Sequence, residues 1–260
     1  MSLKKLHNPS TGQMRVVGLM SGSGSNLRKI IELEKAVQQS RGQSPYRVVG
    51  IFTDNAQSKA VEIGKEFDLP VVVRDIKSFY AARGRPRNDM NVRREFDAAT
   101  VKALANLGAT VAAYAGYMSK ATQFLVQAYL GINVHPADLA IGEGGQRKYT
   151  GAHAVKDAIL AGEKYLRSTM HIIEEEVDQG RILMRSAPVE VQLSPEFDPT
   201  NKDLAERVAQ EHQNRLKEEG DWMIFPLTLL KLADGEFAQD LTGNLYMSGK
   251  PIPHGLELKV

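Results

Sequence analysis

The chain is 260 residues long, 42% hydrophobic and 25% charged, which supports one large buried core with short extensions and argues against disorder. Its 33 basic and 31 acidic residues leave a formal charge of +2, so no long-range field marks nucleic acid or an anionic membrane as partner, although a local basic spot can still hold a phosphate. Cysteine is absent, which excludes disulfides, thiolate metal sites and a cysteine nucleophile.

No apolar run approaches the ~20 residues of a membrane span. The polar N-terminus, Met1 to Gln13, lacks the apolar stretch of a secretory signal, so a cytoplasmic address is the simplest expectation. Residues 1–13 read as a tail, 14–235 as one domain and 236–260 as a C-terminal extension. The first half alternates apolar, β-rich runs with helical patterns: Met14 to Met20, Asn26 to Gln39, Arg47 to Phe52, Lys59 to Phe67, Val71 to Val73. That rhythm predicts βαβαβ with parallel strands. After a polar stretch containing Arg83, Gly84, Arg85 and Pro86 come a helix over Arg94 to Leu107 and a strand over Thr110 to Tyr114. A helix over Thr122 to Tyr129 and a strand over Ile132 to Val134 follow. Gly142 to Gln146 is glycine-rich and reads as a mobile loop. A helix over Ala154 to Ala161 leads to strand-like runs at Thr169 to Ile173, Arg181 to Met184 and Val189 to Val191. Asp178-Gln179-Gly180 is the turn of an antiparallel hairpin between the first two. Lys202 to Leu232 reads as helix with a charged middle, Lys217 to Asp221, and short strand-like pieces follow Asp234. The expected fold is a three-layer α/β sandwich, Rossmann-like, with a mostly parallel central sheet and a C-terminal antiparallel hairpin.

Three motifs carry chemistry. Ser21-Gly22-Ser23-Gly24-Ser25-Asn26 lies where the first strand gives way to the first helix, and convergent backbone N–H groups at a helix N-terminus suit a phosphate. It lacks both the dinucleotide spacing and the P-loop lysine; a tight turn with a Ser or Asn cap is the plainer reading. In Asn133-Val134-His135-Pro136, residues two apart on a strand project to one face, so an amide and an imidazole can share one ligand oxygen, as an oxyanion site requires. Local bonding to backbone is the alternative. Asp178, in Glu174-Glu175-Glu176-Val177-Asp178, would raise the pKa of a nearby His135 and favour its charged form, but such an acidic run is more often a solvated turn. His135, His153 and His171 lack metal-site spacing, so no metal is expected, and His171 reads as a core or hairpin residue. No serine is flanked as a hydrolase nucleophile would be.

Taken in order, these motifs resemble the folate-dependent formyltransferase family, in particular its phosphoribosylglycinamide branch, from about Val16 to about Leu232. Gly18 to Leu27 is similar to the branch's S-G-x-G-S-N-L opening, which implies that Gly24, Ser25 and Asn26 hold the substrate phosphate. Arg93-Arg94-Glu95-Phe96-Asp97 resembles R-E-x-[FY]-D, and the family's folate-contacting arginine falls on Arg93, or on Arg94 with a shift of one. Ala115-Gly116-Tyr117-Met118 resembles A-G-[FY]-M, whose following residues line the pterin pocket; Met118, Ser119, Lys120 and Ala121 take those places, the last three where R-I-L is usual. Asn133-x-His135-Pro136 is similar to the catalytic N-x-H-P, and Asp178-Gln179-Gly180 to D-x-G. Gly151-Ala152-His153 resembles G-x-H, but the stretch between Pro136 and Gly151 is longer than usual, with Ala137-Asp138-Leu139-Ala140 in place of S-L-L-P. Near Gln213 to Gly220 a second insertion separates Glu211-His212 from Phe225-Pro226.

The resemblance implies an enzyme of purine biosynthesis that moves the formyl group of 10-formyltetrahydrofolate, its co-substrate, to the amine of phosphoribosylglycinamide. Asn133 and protonated His135 would stabilise the oxyanion, and Asp178 would sustain the charge on His135 and relay protons. Another amine acceptor, hydrolysis to formate, and a non-catalytic folate-binding homologue are the alternatives. Partners are then small molecules, with no nucleic acid and no membrane, and a homodimer is one assembly the sequence leaves open.

Overall fold

The structure is a computed structural model that describes residues 3–143 and 146–259. After β1 (Lys4–Lys5), the chain alternates β2 (Met14–Met20), α1 (Ser25–Arg41), β3 (Tyr46–Thr53), α2 (Ala60–Phe67) and β4 (Val71–Val73). Helices α3 (Ile76–Ala81) and α4 (Met90–Leu104) lead to β5 (Val111–Tyr114), α5 (Gln123–Ala128) and β6 (Leu130–His135). A small hairpin, β7 (Gly142–Glu143) with β8 (Gln146–Arg147), precedes α6 (Ala154–Leu160), β9 (Tyr165–Leu166), β10 (Thr169–Ile172), β11 (Ile182–Arg185) and β12 (Val189–Glu190). The chain continues through α7 (Lys202–Leu216), a π-helical turn at Lys217–Asp221 and α8 (Trp222–Ala233), then β13 (Phe237–Gln239), β14 (Leu245–Met247), β15 (Lys250–Pro251) and β16 (Leu256–Glu257).

Eight strands form the central sheet in the order β16-β11-β10-β6-β5-β2-β3-β4. Strands β2 to β6 are parallel to one another in this sheet, while β10 runs antiparallel to both β6 and β11. The expected α/β architecture with its antiparallel hairpin is therefore present. Alternation along β2 divides the core. Val16 and Met20 face Leu27 and Ile30 of α1 and Phe225 and Leu229 of α8, whereas Val17 and Leu19 face Val92 and Phe96 of α4. Those two apolar layers on opposite faces make the three-layer sandwich and account for the near-continuous apolar run of β2. Gly18 lets α1 approach closely, since a Cβ there would lie 2.5 Å from Leu27 Cδ1.

Several boundaries depart from the sequence reading. Helix α3 had no counterpart in it, and α4 begins at Met90 rather than Arg94 because Asp89 caps it, its side chain accepting from the Asn91 and Val92 N–H groups. The glycine-rich stretch read as a mobile loop is in part ordered: Gly142 and Glu143 pair with Arg147 and Gln146, while Gly144 and Gly145 lie outside the described residues. The single helix expected over Lys202 to Leu232 is two α-helices joined by the π turn. The two chain extensions pair with each other, β1 with β13, and β16 of the second adds to the central sheet beside β11.

Gly180 sits where the hairpin turn returns to β11, and a Cβ there would lie 1.7 Å from the Ile172 carbonyl oxygen. Backbone cannot yield as the tip of Leu27 can. Gly180→Ala is expected to cost about 1–3 kcal/mol in urea unfolding, and Gly18→Ala clearly less.

Candidate active site

Parallel strands gather ligands at their carboxyl ends, and the principal cleft lies there, with a volume of about 490 Å³. Asn133 and His135 stand at the end of β6, and Gly116 to Ala121 follow β5 as one wall. Glu174 to Asp178, from the turn between β10 and β11, form a second wall. A third is built by Asn26, by Gln210, Gln213 and Asn214 on one face of α7, and by Lys217 and Asp221 of the π turn.

Strand register brings the catalytic candidates together. Antiparallel pairing of β6 with β10 sets Asn133 opposite His171 and His135 opposite Thr169, so facing side chains share a side of the sheet. The amide Nδ2 of Asn133 lies 3.0 Å from Nε2 of His171, whose Nδ1 lies 2.9 Å from the Ile172 carbonyl oxygen. A carbonyl only accepts, so Nδ1–H donates to it and Nε2 is left to accept from the Asn133 amide. This fixes which end of the amide is nitrogen and leaves its second N–H free to donate into the cleft. Reading His171 as a core or hairpin residue missed this role; the signal was its position on a strand that pairs with the Asn133 strand.

Asp178 is buried although Glu174, Glu175 and Glu176 beside it are exposed, so one acid of the run is set apart. Its Oδ2 lies 3.4 Å from Nδ1 of His135 and accepts from the Gly151 N–H at 2.8 Å; its Oδ1 lies 3.6 Å from Nε2 of His171. Nε2 of His135 faces the Tyr149 carbonyl oxygen at 2.9 Å. Asp178 favours the charged form of His135, as expected, but a second effect opposes it. Burial lowers the His135 pKa and outweighs the opposing pull of Asp178, so the free site favours neutral imidazole. His171 is lowered as well, to about 4, also chiefly by burial.

Of the glycine-serine loop, only Asn26 lines the cleft, its Nδ2 donating to Asp221 Oδ2 at 3.2 Å. Ser25 opens α1, and Gly24 caps it at φ 69° with no side-chain cap bond, which disfavours the alternative of a Ser or Asn cap. The loop is held from below by Asp54, a residue the sequence did not single out. Its Oδ1 accepts from Ser21 Oγ at 2.6 Å and its Oδ2 from Ser119 Oγ, while Ser21 Oγ accepts from the Met118 N–H at 3.0 Å.

Met118, Ser119, Lys120 and Ala121 line the cleft as expected, with Met118 78% exposed. Arg93 does not line it. Only 3% exposed, it pairs with Asp97 at 2.8 Å and donates to Tyr117 Oη at 2.9 Å, so it supports a wall residue from behind, while Arg94 bonds Asn91 at the surface. Among the pair matched to the C-terminal helix, His212 is buried away from the cleft, taking the Gln192 N–H on Nε2. The apparent insertion there is the last turn of α7 and the π turn, which carry Lys217 and Asp221 to the site. Asp221 bonds Ser168 Oγ at 2.5 Å, and burial raises its pKa to about 6. His153 precedes α6 outside the cleft, although Gly151 and Ala152 line it. Among the described residues, no group of three or more His, Cys, Asp or Glu is placed to hold a metal, and no helix is long and apolar enough to cross a membrane.

A cleft at the carboxyl ends of parallel strands, lined by the Asn133 amide, the His135 imidazole and the Asp178 carboxylate, suits a group-transfer enzyme. The family is the formyl transferases: their family model matches residues 14–218, and the chain belongs to that family. It is 28% identical over 242 residues to a phosphoribosylglycinamide formyltransferase from Haemophilus influenzae, covering 92% of this chain and 96% of that one. To the enzyme of the same name from Mycobacterium tuberculosis it is 32% identical over 188 residues, 72% of this chain and 75% of the relative. Its fold matches a solved phosphoribosylglycinamide formyltransferase from Coxiella burnetii with a TM-score of 0.66 at 22% identity, over 95% of this chain and 100% of that one.

The contact between His171 and Asn133 can be measured in two ways. His171→Phe should lower turnover about tenfold, the worth of one hydrogen bond, with Tm little changed; steady-state kinetics beside a melting curve check this. The His171 pKa of about 4 lies below its ordinary 6.5, so the folded state binds fewer protons between those values. The stability this contributes is present above about pH 6.5 and is lost as pH falls toward 4. Urea unfolding across that window should show the loss, with a shallower slope in His171→Phe.

Proposed function

We propose that this protein transfers the formyl group of 10-formyltetrahydrofolate to the amine of phosphoribosylglycinamide, a cytoplasmic step of purine biosynthesis. The observation that carries this reading is that Asn133, His135 and Asp178 line one cleft together with two further kinds of group. The turn from Met118 to Ala121 has a backbone that suits the edge of a pterin. Asn26 and Lys217 also line the cleft, Asn26 in the first turn of α1, and a helix N-terminus beside a lysine suits a phosphate.

In this mechanism the acceptor amine attacks the formyl carbon directly and the carbonyl electron pair moves onto oxygen. The free N–H of Asn133 meets that oxyanion, and His135 joins it when bound substrate takes the place of the Tyr149 carbonyl at Nε2. The tetrahedral species then collapses, expelling the folate nitrogen, which takes a proton as the amine gives one up. Asp178 accepts and returns that proton through His135, whose preference for the neutral state leaves it able to take one. Arg93 acts on the folate wall only through Tyr117. Neither a metal nor a covalent enzyme intermediate is needed.

Purified protein with 10-formyltetrahydrofolate should show spectrophotometric turnover that depends on added phosphoribosylglycinamide. Asn133→Ala and His135→Ala should each lower it by about 10²–10³, with folding intact by circular dichroism. Formate release without an acceptor would instead identify a hydrolase, and donor binding without turnover a binding protein; either result overturns the proposal.

A further inference from the structure

The stretch between Pro136 and Gly151, long for the family, folds back onto the Asp178 turn. Its hairpin ends on Arg147, whose Nη1 donates to the main-chain carbonyl of Asp178. Two residues later the Tyr149 carbonyl faces Nε2 of His135, and two further on the Gly151 N–H caps Asp178 Oδ2. Alternate residues from 147 to 151 thus touch the His135–Asp178 pair. Asp178 itself has φ 56°, a left-handed conformation that few non-glycine residues adopt, so its turn needs outside support to hold one geometry.

We propose that Arg147 is a positioning residue for formyl transfer: it locks the Asp178 turn through the main-chain carbonyl and sets a fixed positive charge behind His135 and His171. This rests on the reading of Asn133, His135 and Asp178 as the catalytic group. The charged and titratable groups facing His135 are Asp178 from the turn, His171 from β10 and Arg147 from β8, with Glu174 acting on Arg147 in turn. Asp178 favours the imidazolium, whereas Arg147 opposes it at both histidines. An arginine is fitted to both tasks because its charge is permanent and its planar fork fixes the direction of the bond it gives.

The test pairs Arg147→Met, which removes charge and donor, with Arg147→Lys, which keeps the charge and loses the fork. Gln146→Ala, exposed on the same strand, serves as the control. A histidine NMR titration, with the His135 signal assigned through His135→Gln, needs no turnover. In Arg147→Met the His135 midpoint should rise by about half a pH unit or more. Its kcat should fall about tenfold or more, with KM for either substrate nearly unchanged. Arg147→Lys should restore the midpoint and only part of kcat, and the control should match wild type.

An unmoved midpoint or a wild-type kcat in Arg147→Met would overturn the inference. If that variant fails to fold, Arg147→Lys decides: a reduced kcat at an unchanged midpoint supports the role, and a wild-type kcat removes it. Wild-type protein without formyl transfer would sink the functional reading alone, because the titration still reports the charge effect.

Discussion

The site depends on the seam at which the sheet changes direction. Strands β2 to β6 run parallel to one another, and β10 then pairs antiparallel with β6, setting Asn133 against His171 and His135 against Thr169. A slip of one residue would turn every side chain of β10 to the other face. His171 would leave the Asn133 amide, and the turn bearing Asp178 would start from the wrong side of the sheet. Gly180, pressed against the Ile172 carbonyl, and Gly131, whose Cβ would meet Ile173 at 2.8 Å, both mark how little room this seam has.

Burial shapes the chemistry as strongly as proximity does. His135 lies between two acceptors, the Asp178 carboxylate and the Tyr149 carbonyl, an arrangement that by itself favours a doubly protonated ring. Desolvation outweighs that preference in the free site. Taking up a proton needs no new partners there, because the two acceptors that stabilise the imidazolium are already in place.

Much of this was legible in the sequence, for reasons that can be named. The β2 run, the Asn133-x-His135 pair and the parallel first half rest on periodicities of two and 3.6, which survive in any context. Asp178 was legible through its family match, whereas composition alone favoured a solvated acidic turn. His171 and Asp54 were hidden because their roles depend on which strands lie side by side. Arg93 matched a motif that names a ligand contact, yet the structure takes it inward to Asp97 and Tyr117. The Gly142 to Gln146 stretch looked like loop because two-residue strands carry no periodic signal.

The π turn at Lys217–Asp221 also bears on how such a cleft changes over evolutionary time. A π turn accommodates one residue more than an α-helical turn without breaking the helix around it. Each added or deleted residue rotates the helix beyond it by about 100°. A residue gained or lost at this turn therefore changes how α7, which carries Gln210, Gln213 and Asn214, is set against α8, while the sheet bearing Asn133 and His135 stays as it is. The helical wall of the cleft and the strand that carries Asn133 and His135 thus sit on separately adjustable parts of the chain.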